Sequence, residues 1–198
     1  MSGAPEEDKK KAAQLYHEAL ELVATRNYTK ALDYLNNYLK LCVKHNDKVG
    51  EGKAYRNMGV VYIDLKQPKK AIEFLERGLQ VARETGNKKA EGKALQNMGV
   101  AYERMGQHDV AIQYESEGLR LCREVGNAKG EGIATENLAV VYSSLGQYKK
   151  SVRLHEQAVA MAQSAGDHVG YEIAQENLEV THDQWEKYRK AMNASQTH

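Results

Sequence analysis

Proline and phenylalanine are almost missing from this chain, and so is any net charge. Two prolines and one phenylalanine in 198 residues leave few interruptions. The abundance of Ala, Leu, Glu, Lys and Gln favours helix. Lys and Arg number 28 against 27 Asp and Glu. A general nucleic-acid binder needs a net basic footprint, so that class is excluded, although a local basic patch is not. No run of about 18 apolar residues exists to cross a membrane, and MSGAPEEDKK has no apolar core of a secretory signal. The expected location is therefore cytoplasmic, where the sequons Asn27-Tyr28-Thr29 and Asn193-Ala194-Ser195 carry no meaning.

Cysteine is scarce as well. Cys42 and Cys122 lie 80 residues apart, with too many helix pairs between them for the ~7 Å limit of a disulfide. They read as small buried fillers in a reducing compartment. The seven histidines are scattered, and no His/Cys/Asp cluster has zinc spacing. There is no phosphate-binding glycine loop, and no Ser/His/Asp or Cys/His arrangement. No metal, cofactor or catalytic residue is expected.

What the chain has is a period. Glu51–Tyr62 reads EGKAYRNMGVVY, Glu91–Tyr102 reads EGKALQNMGVAY, and Glu131–Tyr142 reads EGIATENLAVVY. A weaker copy, YEIAQENLEVTH, begins at Tyr171. Residues 51–90 and 91–130 are identical at 19 of 40 positions. A fixed period of this length signals a solenoid, in which each unit buries its apolar face against its neighbours.

Apolar spacing predicts a helix from Lys9 to about Thr25, a turn at Arg26-Asn27-Tyr28 and a second helix from Thr29 to about Lys44. Each central unit repeats that plan, for example Lys88–Met105, a break at Gly106-Gln107-His108, and Asp109–Val125. Breaks this short force antiparallel pairs. The junctions Asn46-Asp47, Gly86-Asn87, Gly126-Asn127 and Gly166-Asp167 read as a left-handed helix stop followed by an N-cap. The expected organisation is a disordered lead over 1–8, one domain over 9–192 and a tail over 193–198. The domain holds units at about 9–46, 47–86, 87–126 and 127–166, and a capping helix at about 168–192. Glu179, His182, Trp185 and Lys187 stand in that last helix near positions that are apolar or small elsewhere, which suits a stack ending in water.

Within each unit the small and aromatic residues have set places. The second unit gives Tyr55, Met58-Gly59, Tyr62, Ala71, Phe74 and Gly78-Leu79. The third gives Leu95, Met98-Gly99, Tyr102, Ala111, Tyr114 and Gly118-Leu119. The fourth gives Leu138-Ala139, Tyr142, Ser151, Leu154 and Ala158-Val159. This pattern resembles the tetratricopeptide repeat (TPR) family over nearly the whole chain. The 40-residue period resembles its long-helix subclass, as in the spindle-orientation adaptor LGN and, more loosely, kinesin light chain. The resemblance implies an all-α, right-handed superhelical solenoid of antiparallel helix pairs with a C-terminal capping helix. It also implies a non-enzymatic adaptor, cytoplasmic and in some cases cytoskeleton-associated, whose concave groove is lined by the first helix of each unit and binds a protein or peptide partner.

In that lining, one polar residue recurs: Asn57, Asn97, Asn137 and Asn177. Val60, Val100, Val140 and Val180 follow three residues later, on the same helix face. An amide both donates and accepts, so a ladder of asparagines can pair with the C=O and N–H of an extended peptide. The other reading is that the ladder ties adjacent helices together. Lys53 and Lys93 precede two of the asparagines by one turn, and Arg56 and Arg104 are expected to join them, favouring an acidic segment. Pairing of the lysines with Glu51 or Glu91 is the alternative. Ile133 and Glu136 end the basic character in the fourth unit. The first unit offers Tyr16, His17 and Leu20 where a carboxylate clamp wants Lys and Asn, so capture of a free C-terminal carboxylate is not expected.

Glu115 and His155 stand where Leu35 and Leu75 stand in other units. The expectation is that these helices turn that edge to water; a hydrogen-bonded pair between units is the alternative. The basic pairs Lys69-Lys70 and Lys149-Lys150 are expected to serve solubility on the outer face, with a partner contact as the alternative. A function from another class, self-association into a homo-oligomer through the outer face or the stack ends, stays open. A ligand-sensing regulator of the bacterial peptide-receptor kind would require an effector domain that these residues do not contain.

Overall fold

The structure, a computed structural model, describes residues 3–195. Nine helices fill the described residues: α1 (Glu6–Ala24), α2 (Tyr28–Lys44), α3 (Lys48–Asp64), α4 (Pro68–Glu84), α5 (Lys88–Arg104), α6 (His108–Glu124), α7 (Ala128–Ser144), α8 (Tyr148–Ser164) and α9 (His168–Ser195). Consecutive helices pack as antiparallel pairs, and α3, α5, α7 and α9 also lie side by side. The even-numbered helices make no comparable row. The odd-numbered helices therefore form the inner, more crowded face of a solenoid.

The junctions between units follow from single residues. Asn46, Gly86, Gly126 and Gly166 are left-handed, with φ of 52°, 64°, 66° and 65°. Asp47, Asn87, Asn127 and Asp167 then cap the next helix, each accepting a hydrogen bond from the backbone N–H three residues on. The breaks inside the units are left-handed too, at Gly106 and Gly146 and also at Arg26 and Lys66, each with φ 58°. No sequence signal marks those two, because neither is the glycine or asparagine that usually occupies such a position.

Small residues set the approach of each pair. A Cβ on Gly59 would meet Leu75 Cγ at 2.5 Å, and a Cβ on Gly99 would meet Glu115 Oε1. In the fourth unit Ala139 holds the slot, and Ser151 Oγ donates to its carbonyl at 2.7 Å. Tyr62 stacks on Phe74 and Tyr102 on Tyr114, both with ring centroids 5.2 Å apart. The core between units is aliphatic: Leu75 and Leu79 of α4 pack with Leu95 and Met98 of α5 and with Leu121 of α6.

The two ends depart from the sequence expectations. The lead expected over 1–8 is helical from Glu6, and Asp8 is tied to α2 by Lys44 Nζ at 2.8 Å and His45 Nε2 at 2.6 Å. Residues 1–2 of that lead, and 196–198 of the expected tail, lie outside the described residues. Residues 193–195 of that tail belong to α9. Exposed Glu179 occupies the α9 slot that Gly59, Gly99 and Ala139 hold elsewhere, so the surface that would accept a second helix carries a charge.

Cys42 and Cys122 are buried free thiols. Burial pushes the Cys42 thiol up to about 11, as expected of inert fillers.

Candidate functional site

The inner face is built from one side of each odd-numbered helix. On α3 it presents Val49, Lys53, Arg56, Asn57 and Val60, which repeat at one-turn spacing. Val60, Val100 and Val140 are half-buried on it, and Val180 is exposed.

The four asparagines are not equivalent. Asn57 Nδ2 donates to Tyr16 Oη at 2.9 Å, and its Oδ1 accepts from Arg56 at 3.3 Å. Asn177 Nδ2 donates to Glu136 Oε1 at 2.7 Å. In both cases the acceptor stands 41 residues earlier, in the preceding odd helix. The residue in that relation to Asn97 is Arg56, a donor with no acceptor atom, and among the described residues no hydrogen bond engages the half-buried Asn97 amide. The residue in that relation to Asn137 is Gln96, whose amide donates to the Gly130 carbonyl at 2.8 Å. Asn137 instead donates to Glu115 Oε1 at 3.0 Å. Three rungs thus already join neighbouring units, and Asn97 alone of the four has both its donor and its acceptor open.

Glu115 and His155 correct another expectation, since neither faces water. Their relative exposures are 0% and 1%. They do not pair with each other. Glu115 takes the bond from Asn137, and its other oxygen is buried without a partner. Burial drives the Glu115 carboxyl well above the usual carboxylate range, and the Asn137 bond opposes that only in part. His155 Nδ1 lies 2.9 Å from Glu136 Oε2, so Glu136 gathers α8 through His155 and α9 through Asn177.

The cations converge between α3 and α5. Lys53, Arg56, Lys89 and Lys93, with Lys48, line a hollow of about 180 Å³ whose lining includes no carboxylate. Glu51 is bound to Lys48 at 3.0 Å, and Glu91 to Arg83 and Lys88 at 2.9 and 3.2 Å. The carboxylates considered as partners of Lys53 and Lys93 are therefore engaged elsewhere. Lys93 is held below the usual lysine range, first by desolvation and then by the positive charges of Arg56, Lys89 and Lys129. Arg104 does not join this cluster. It is exposed about three turns further along α5, beside Glu103 at 3.8 Å.

The equivalent hollow between α7 and α9, about 200 Å³, is lined by Ile133, Met161, Ile173 and several alanines. Among the described residues no helix is long and apolar enough to cross a membrane, and no group of three or more His, Cys, Asp or Glu could hold a metal.

A model of the tetratricopeptide repeat matches residues 23–84, 50–124 and 131–197, which is most of the chain. The chain belongs to the tetratricopeptide repeat family. No curated protein matches it. Among solved structures, a Rap protein complexed with Competence and Sporulation Factor superposes with a TM-score of 0.81 at 17% identity, over 93% of this chain and 51% of that one. This TPR chain therefore spans about half the length of that protein. A candidate kinesin light chain of Podospora anserina, with nearly identical TPR-like repeats, gives 0.67 at 16% identity over 91% and 90%. The TPR domain of Arabidopsis FLU gives 0.55 at 24% identity over 59% and 98%. At these identities the likeness is one of fold. TPR solenoids of this kind are protein-interaction scaffolds.

Proposed function

We propose that this TPR protein is a non-enzymatic adaptor that holds a peptide segment of a partner protein along its inner face, in the cytoplasm, with Asn97 at the centre of the site. The observation that carries this reading is the Asn97 amide, open at both donor and acceptor and near Lys53, Arg56, Lys89 and Lys93, which pair with no carboxylate among the described residues. Backbone pairing at Asn97 aligns the segment, and Lys53, Arg56, Lys89 and Lys93 draw its acidic side chains into the hollow between α3 and α5. Asn57, Asn137 and Asn177 act as braces that keep successive units in register and leave the Oδ1 atoms of Asn137 and Asn177 as further acceptors. The Rap protein of the same fold was crystallised complexed with Competence and Sporulation Factor, which supports a scaffold that receives another molecule.

Capture from cell extract by wild type beside Asn97→Ala and Lys93→Glu, each checked by circular dichroism, tests the proposal. A partner retained by wild type and lost by both folded variants is the expected result. Equal capture by all three proteins contradicts it.

One observation favours self-association as a second reading: Val169, Ile173 and Val180 of the terminal helix are exposed. Light scattering over a concentration series distinguishes the two, and the adaptor reading expects a concentration-independent monomer.

A further inference from the structure

The hollow between α3 and α5 and the one between α7 and α9 occupy the same place in the repeat, two units apart, but their chemistry is opposite. Lys53 is replaced by Ile133, Lys93 by Ile173, and Val81 by Met161.

The charges left at the second hollow are satisfied within the chain. Lys129 Nζ lies 3.0 Å from Asp167 Oδ2. Both Glu136 oxygens are taken, by His155 at 2.9 Å and by Asn177 at 2.7 Å. What this hollow offers a ligand is therefore apolar wall. Ile133 and Ile173 are exposed on it although each is a large aliphatic side chain. In the first hollow only Lys48 is satisfied, by Glu51 at 3.0 Å; among the described residues Lys89 and Lys93 have no carboxylate partner, and Lys53 approaches the Tyr16 ring, at 6.0 Å. An uncovered apolar hollow and an unneutralised cationic one, on a single continuous face, call for a ligand that is acidic at one end and apolar at the other.

The spacing between the two ends is set by the helices. α3, α5, α7 and α9 lie side by side, and packed helix axes are about 8–10 Å apart. Two steps therefore separate the hollows by about 16–20 Å. An extended chain advances about 3.3 Å per residue, so this distance is about five or six residues.

We propose that the groove reads a bipartite segment of a partner protein: an extended stretch whose acidic side chains lie between α3 and α5, and whose single large apolar side chain, about five or six residues away, fills the hollow between α7 and α9. Asn97 and Asn137, on the helices between, meet the intervening backbone. The inference rests on the groove reading above and adds to it the class of segment and its spacing.

The test uses fluorescein-labelled synthetic peptides carrying a Glu-Asp-Glu triplet and one leucine, separated by one, four, five or ten alternating Ser and Ala residues. Binding to the full chain is followed by fluorescence anisotropy. The four- or five-residue spacer, which puts the leucine five or six residues from the nearest acid, is expected to bind at least about fivefold tighter than the one- and ten-residue spacers. Ile133→Asp, on an exposed side chain, should remove that advantage together with any dependence on the leucine. Lys93→Glu should remove dependence on the acidic triplet. Affinity independent of spacing, binding that ignores Ile133→Asp, or binding at no spacing overturns the bipartite proposal. Asn97→Ala separates this from the parent reading. Peptides that ignore spacing but still weaken several-fold with Asn97→Ala sink the bipartite segment and leave the groove. Peptides that bind wild type and Asn97→Ala alike sink the groove itself. Saturable association of the chain with itself, competing with the peptides, would assign the apolar hollow to a second copy and likewise overturn the proposal.

Discussion

Replacing Glu115 by leucine should stabilise this protein, and more so as pH rises. Glu115 is fully buried on α6, one oxygen bonded to Asn137 and the other without a partner. A buried polar atom left unsatisfied costs about 1–3 kcal/mol. A second cost depends on pH. The folded-state carboxyl titrates well above 4.5, chiefly because of burial, whereas in the unfolded chain it titrates near that ordinary value. Between the two the folded protein holds a proton that the unfolded chain has released, so stability falls as pH rises, by about 1.4 kcal/mol per unit. Leucine removes both costs, and its fit has a precedent in the same fold: Leu75 fills the equivalent slot against Gly59, as Glu115 does against Gly99. Asn137 loses an acceptor, but it is half-buried and can turn to water. The expected gain is about 1–3 kcal/mol from the unsatisfied atom alone, or roughly 2–12 °C in Tm for a chain of this size, and it grows from pH 5 to pH 7 as the titration cost adds to it. Glu115→Gln serves as the pH control, since it keeps the shape and removes the titration. Chemical denaturation from pH 5 to pH 8 reads both effects. A Glu115→Leu protein less stable than wild type, or a wild type whose pH trend parallels that of Glu115→Gln, would refute the reasoning.

Three further outcomes follow from the same geometry. Gly59→Ala puts a Cβ 2.5 Å from Leu75 Cγ and should destabilise by about 1–3 kcal/mol through overpacking; an unchanged denaturation midpoint would show that α3 and α4 can move apart freely. Lys66→Gly relieves a left-handed residue at φ 58° in a slot that Gly106 and Gly146 fill in later units, and should stabilise by about 1 kcal/mol, read as a rise in Tm. Asn57→Ala, Asn137→Ala and Asn177→Ala each remove a bond between helices and should each lower stability by about 0.5–1.5 kcal/mol, more for the two bonded to carboxyl groups, while Asn97→Ala leaves Tm unchanged. Four equal effects by calorimetry would count against the distinction drawn among them.

The fold was legible because it depends on a period. Gly59, Gly99 and Ala139 return every 40 residues with the aromatics that pack beside them, and each junction carries its left-handed residue and its cap side by side. The left-handed positions at Arg26 and Lys66 were not legible, because an arginine or lysine gives no local sign of adopting them. The site was legible only as a face. Its asparagines look identical along the chain, yet for Asn57, Asn97 and Asn177 the outcome is decided 41 residues earlier, where Tyr16 and Glu136 can accept a hydrogen bond and Arg56 cannot, and for Asn137 by Glu115 on α6. That difference was present in the sequence, but it appears only when the residue types are compared across units rather than aligned within them. Glu115 and His155 misled for the opposite reason. Their polarity suggested a wet edge, but α7 and α9 cover them with Asn137 and with Glu136 bridged to Asn177. No local pattern announces partners supplied by another helix: Asn137 of the next unit for Glu115, and Glu136 of the same unit for His155.

The most direct test of the adaptor account places a photo-crosslinking residue at Val100, on the groove face one turn from Asn97, and separately at exposed Gln113 of α6. Both proteins are irradiated in cell extract and their adducts resolved by mass. The account predicts an adduct with a partner protein from Val100 and none from Gln113. Adducts from Gln113 alone, or from Val100 only with a second copy of the chain, would contradict it.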